Sequence, residues 1–412
     1  MRRALALLCL GLLALGLAAC GGGGGGGAGG GGGAPGSEGE RPPLFGGSRD
    51  KGGGDTSGGG QPQTPASLGF PAVATKNTTR VAGSDPAAVA AGVALAVFPG
   101  RTPGTRPAAV TLADGSDWRA ATAAAALMAP PVRAPLLLSD GTKLPGSTRS
   151  ALETLSPAGS RYARRAQVIS VGVEPDDAGG RRVALVGGKT PAAIAASVDK
   201  LLIAARGKPA TDVVVVGEDD PEFGVPAAAW AAKSGDPVLF VKKNSVPAAT
   251  RATLAQHGKP RIYVLGPEET VGPKALSQLQ QLGTVTRVGG KDPVTNAIAF
   301  ASSRDFLWGV RQPGHGLVFA PTDQPLDGPA GAALASTGTY GPLLLLPSGD
   351  RLVTPVANFL LDIQPGYRSD PAREAVYNHG WILGDQKAVP VPVQARIDGL
   401  LEPAPISRPT KP

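Results

Sequence analysis

Val81-Ala82-Gly83-Ser84-Asp85-Pro86 returns as Val186-Gly187-Gly188-Lys189-Thr190-Pro191, and again as Val288-Gly289-Gly290-Lys291-Asp292-Pro293. The prolines stand 105 and 102 residues apart. A phrase at so steady a period marks one structural unit used three times. Each copy reads alike: a short apolar strand runs into small residues, and a helix starts at Asp85, Thr190 or Asp292. These are good N-caps, and the proline after each wastes no hydrogen bond, because the N–H at that position has no partner within a helix. Units repeated in this way build a binding surface more readily than one catalytic centre.

The surrounding segments keep the same order. Apolar runs follow each first helix, at 108–112, 213–216 and 317–320. They lack alternation, which predicts strands buried on both faces, as in a parallel sheet. Alanine-rich second helices are expected at 120–128, 227–233 and 330–337. Strands led by a proline come next, at Pro135, Pro237 and Pro342, then a third helix and a strand ending in Gly172, Gly266 or Gly384. The first unit passes from Gly172 almost directly into the second phrase, whereas the second carries a closing helix over 272–282. Strands alternating with helices at this spacing predict α/β units. The expected fold is three tandem repeats of about 100 residues, each a mostly parallel sheet flanked by helices. Their bounds are read as 76–180, 181–284 and 285–404, with a disordered tail over 405–412.

Ahead of the repeats, 1–19 read as a signal peptide. Arg2 and Arg3 precede an apolar run, Ala4 to Ala19, about 24 Å long as a helix and short of a ~30 Å membrane core. The run ends Leu17-Ala18-Ala19-Cys20, which resembles the bacterial lipobox, so Cys20 is expected to carry the lipid. Residues 20–75 read as a Gly-rich tether with a reach of about 40 Å. The two cysteines, Cys9 and Cys20, leave none for a disulfide or a thiolate site in the mature fold. Net charge is +8 for 412 residues and drops to +6 without Arg2 and Arg3. This mild excess favours anionic partners. With aromatics at 4% of the chain, it gives no nucleic-acid signature.

Gly187-Gly188-Lys189-Thr190 invites a phosphate-loop reading, but that motif requires a glycine where Val183 stands. The bland reading is a strand-to-helix turn. A milder functional one is that free N–H groups at the three helix starts accept a phosphate or carboxylate, helped by Arg80, Lys189, Arg287 and Lys291. Loops after the second strand of each unit are acidic and include Asp117, Asp219, Asp220 and Asp323. They are candidates for holding sugar hydroxyls, weighed against simple helix capping. No nucleophile elbow is present. His257, His315 and His379 show no metal-ligand spacing, so neither a metal nor a cofactor is expected.

The stretch Arg261-Ile262-Tyr263-Val264-Leu265-Gly266, with Val271, Leu279 and Val285-Thr286-Arg287-Val288-Gly289-Gly290-Lys291-Asp292, resembles the junction between two members of the cell wall binding repeat 2 family. The resemblance covers roughly 76–403. It implies three α/β units packed as a pseudo-trimer and non-covalent binding of anionic wall polymers. The chain departs from the family where Pro86, Pro191 and Pro293 replace an arginine. Only Thr295 and Ala297 keep part of the later pattern. Ala120 and Val225 fall where the family tends to have aspartate, with Asp327 roughly matching in the third unit. Leu185 takes the place held elsewhere by Arg80 and Arg287.

The expectation is a lipid-anchored surface protein on the outer face of the cytoplasmic membrane, binding an anionic or saccharide wall polymer through three repeats, and no enzyme. The alternatives are a solute-binding lipoprotein, with two lobes about one cleft, and an envelope enzyme on the same scaffold. Oligomeric state stays open.

Overall fold

The computed structural model describes residues 72–303 and 308–406, which fall within one compact unit, Gly60–Pro412. Cys20, the apolar run before it, most of the tether and 407–412 lie outside the described residues. Among the described residues, no helix is long and apolar enough to cross a membrane.

The strands in chain order are β1 (Ala72–Ala74), β2 (Thr78–Val81), β3 (Val110–Asp114), β4 (Leu136–Ser139), β5 (Val168–Val171), β6 (Val183–Val186), β7 (Asp212–Gly217), β8 (Val238–Val241), β9 (Arg261–Leu265), β10 (Thr284–Val288), β11 (Gly316–Pro321), β12 (Leu343–Leu346), β13 (Gly366–Tyr367), β14 (His379–Leu383) and β15 (Ala404–Pro405). They form three main sheets with one common order: β4-β3-β5-β6, β8-β7-β9-β10 and β12-β11-β14-β2. Every pairing in these runs is parallel. The third sheet gains β1, antiparallel to β2. The apolar runs supply the central strands β3, β7 and β11, which are almost wholly buried. This is why their sequences do not alternate.

The strand ahead of each glycine phrase joins the sheet of the run before it. β6 pairs with β5 and β10 with β9. The earliest of these strands, β2, pairs with β14, near the far end of the chain. By hydrogen bonding, then, the boundaries read at 180 and 284 fall just ahead of β6 and inside β10. Two ends of the expected domain also shift. Ala72–Ala74, read as tether, pairs with Thr79–Val81. Pro405, read as tail, pairs with Tyr367, and the Ile406 N–H donates to the Tyr367 carbonyl at 2.7 Å.

The helix starts form as the phrases predict. Asp85, Thr190 and Asp292 accept from the N–H groups of Ala88, Ala193 and Thr295, and helices Pro86–Val97, Pro191–Arg206 and Pro293–Ser302 follow. The glycine two residues before each cap is needed for close approach. A Cβ at Gly83, Gly188 or Gly290 would stand 2.7, 2.6 or 2.3 Å from backbone of the helix that follows.

The alanine-rich helices explain how the three sheets assemble. Trp118–Ala124 continues as a 3₁₀ turn, Ala125–Met128, and Asp327–Gly331 continues as Ala332–Ser336. With Pro226–Ser234, these segments pack pairwise against one another. Their small side chains let backbones approach closely, and they are buried in one core cluster shared by all three sheets. Trp118 fills the seam between the first two sheets, edge-on to Phe240 with ring centroids 5.6 Å apart. Gly224 lies so close that a Cβ there would be 2.9 Å from its ring. Trp118 thus packs between units.

Candidate functional site

At the carboxyl ends of the strands, the glycine phrases and the acidic loops come together. Arg80 leaves β2 and turns inward, with 2% of its surface exposed. Its Nε donates to Gln394 Oε1 at 2.9 Å, Nη1 to the carbonyls of Gly384 and Asp385 at 3.0 and 2.7 Å, and Nη2 to the Val389 carbonyl at 2.7 Å. Burial pulls its pKa below the ordinary value, partly offset by the charge of Asp385. Arg287 repeats this arrangement one unit away, donating to the carbonyls of Gly266, Pro267 and Val271 at 2.7, 2.9 and 2.5 Å. Both arginines brace the loop after the neighbouring strand of their sheet, β14 for Arg80 and β9 for Arg287. This corrects the reading of Arg80 as an anion-binding residue, since its guanidinium is spent on protein carbonyls and closed to solvent.

Arg287 is only half-buried and lines an open cleft of about 550 Å³ with Lys291, Glu269 and the backbone of Gly289 and Gly290. The structure thus brings Arg287 and Lys291 together. The corresponding cleft in the first sheet, about 170 Å³, is lined by Gly172, Glu174, Leu185 and Gly188. Lys189 stands beside it, exposed, and no arginine replaces Leu185. The three phrases are therefore not equivalent as anion sites.

The acidic loops divide by role. Asp117 caps the helix at Trp118, accepting from the N–H groups of Arg119 and Ala120 at 3.0 and 3.3 Å. Asp219 is mostly exposed and 3.8 Å from Arg119, which donates across the seam to the Glu218 carbonyl at 2.5 Å. Asp220 has its pKa raised by burial, with Glu222 and Asp219 adding to the effect. Asp323 accepts from Ser348 Oγ at 2.9 Å. Capping accounts for Asp117, and Asp323 is an exposed carboxylate bonded to Ser348. No group of three or more His, Cys, Asp or Glu among the described residues is placed to hold a metal ion.

Two features escape the sequence. Asp327, at the start of an alanine-rich helix, is fully buried, and neither carboxylate oxygen has a hydrogen-bond partner in the structure. Burial lifts its pKa to about 7, and the charges of Asp323, Asp85 and Asp385 push the same way. Its place beside the family's aspartate was the available signal. The second is a buried ion pair. His257 Nε2 lies 2.8 Å from Asp199 Oδ2, and His257 Nδ1 lies 2.8 Å from the Ala210 carbonyl. The two residues are 58 positions apart, so no local pattern reveals them. Both ring nitrogens are occupied, and the pair ties helix Pro191–Arg206 to the end of helix Ala248–Gln256.

Burial opposes charge on His257, but the hydrogen bonds to Asp199 and Ala210 outweigh it and leave the pKa raised from 6.5. Its contribution to stability is therefore fully present below pH 6.5 and lost as pH rises through the folded-state value. The melting-temperature gap between wild type and His257→Gln is expected to be wider near about pH 5.5 than near about pH 9. Equal gaps would show that the proton plays no part.

No protein-family model matches the chain, and no curated protein matches it. Among solved structures, it is similar to Cwp6 from Clostridium difficile, with a TM-score of 0.62 and 18% identity over 79% of this chain and 48% of that one. It is also similar to Cwp8 from Clostridium difficile, with a TM-score of 0.60 and 16% identity over 79% of this chain and 52% of that one. The chain thus spans about half the length of each of these neighbours. At such identity the likeness is one of fold: parallel sheets flanked by helices.

Proposed function

We propose that this chain is a cell-envelope protein that associates with the bacterial wall by holding an anionic wall polymer non-covalently, with acylated Cys20 as its membrane anchor and no catalytic role. The observation that carries this reading is the fold shared with two cell wall proteins over 79% of the chain. Charge supports the ligand class, with an excess of +8 in the sequence and a strand-end cleft that presents Arg287 and Lys291. Several weak sites on one scaffold gain avidity on a repetitive polymer.

The test is sedimentation of residues 62–412 with native walls and with walls stripped of anionic polymer. Binding is expected to native walls only. Equal retention by both, or by neither, contradicts the proposal.

A further inference from the structure

A second basic surface lies away from the glycine-phrase clefts. Helix Pro191–Arg206 runs past β6, the outer strand of its sheet. An open groove of about 880 Å³ lies between them. Its floor is apolar, with Leu185 54% exposed and Leu201 beside it. Three cations border it: Arg164 from the turn before β5, Arg182 from the start of β6, and Lys200 from the helix. Among the described residues, no acidic one lines it. Among the described residues, none of the three forms an ion pair with a carboxylate. Arg182 donates to the Arg164 carbonyl at 3.2 Å, which holds the Arg182 side chain against the turn that carries Arg164. Arg161 and Arg165 extend the charge just outside.

We infer that this groove binds a segment of an extended polyanion, a hydrophilic chain bearing regularly spaced phosphate or carboxylate groups, with Arg164, Arg182 and Lys200 as its charged contacts. The inference rests on the wall-polymer reading and gives that polymer a site the glycine phrases do not supply. Guanidinium forks suit phosphate and carboxylate alike. Uncompensated like charges around one groove cost repulsion that an anionic ligand relieves. An acidic peptide adding as a further strand is less well served, because β6 has only four residues and the Arg182 side chain reaches back to the preceding turn.

The experiment uses three proteins spanning residues 62–412: wild type, Arg164→Glu/Arg182→Glu/Lys200→Glu, and a charge-matched control, Lys208→Glu/Lys274→Glu/Lys387→Glu, whose lysines are exposed and outside the groove. Each is titrated against native walls, with polyphosphate, polygalacturonate or oligoglutamate as soluble competitor. The groove variant is expected to lose wall affinity by on the order of tenfold or more, and the control to lose much less. Competition by polyphosphate identifies a phosphate-bearing chain and competition by polygalacturonate a uronate-bearing one, and either supports the proposal. Wild-type binding with an unimpaired groove variant overturns the groove while leaving the wall reading intact. Failure of wild type to bind walls overturns the wall reading itself. Displacement by oligoglutamate alone overturns the choice of polymer over peptide.

Discussion

Replacing Arg80 by alanine is expected to destabilise the folded unit by roughly 3–5 kcal/mol, read as a lower urea midpoint. The guanidinium satisfies the carbonyls of Gly384, Asp385 and Val389 and the Gln394 amide oxygen, in bonds that are buried except for the partly buried one to Asp385. Alanine leaves these acceptors without their donors, and each buried orphan costs about 1–3 kcal/mol. The location amplifies the effect, because β2 closes the third sheet against β14. Neighbouring contacts fasten the same junction: Asn77 bonds to Asp398 and Glu402, and Gln394 donates to Thr78 Oγ1 at 3.0 Å. Lysine is not expected to rescue, since an ammonium cannot reach four divergent acceptors. Arg287→Ala should cost less, because Arg287 is half-exposed and has three carbonyl bonds. If Arg80→Ala instead kept full stability and lost wall binding, Arg80 would be a ligand residue and the assignment made here would fail.

Asp327→Asn is expected to act in the opposite direction. A carboxyl whose folded-state pKa is raised from 3.8 to about 7 binds its proton more tightly in the folded chain. The native state is therefore favoured at low pH and loses stability as pH rises from about 4 to about 7. Over that window the loss approaches roughly 4 kcal/mol. Asparagine keeps the shape and cannot ionise. Wild type should melt at a lower temperature at about pH 8 than at about pH 5, and the drop should be smaller in Asp327→Asn, which retains only the loss due to His257. The variant should exceed wild type at the higher pH. Parallel profiles would show that Asp327 is compensated in solution.

The architecture was legible because it rests on local chemistry repeated at a fixed period. Asp85, Thr190 and Asp292 announce helix starts by residue type alone, and the runs at 213–216 and 317–320 announce buried strands by their lack of alternation. Strand exchange was not legible. Nothing in Val183–Val186 tells that it pairs with Val168–Val171 rather than with a later strand, because parallel partners are chosen by tertiary packing. The candidate site was legible only in part. Arg80 and Arg287 look alike in sequence, yet burial separates a brace from a cleft wall. The groove beside β6 is assembled from residues 164, 182 and 200, whose proximity depends on how helix Pro191–Arg206 crosses its strand. The doublets Arg164-Arg165 and Arg181-Arg182 were the signal, and composition alone does not say that they face one groove.

The most direct test of the central claim is the sedimentation of residues 62–412 with native and polymer-stripped walls, repeated across ionic strength. Binding to native walls that weakens as salt rises, with none to stripped walls, is the predicted result. Equal binding to both, or binding indifferent to salt, would contradict it.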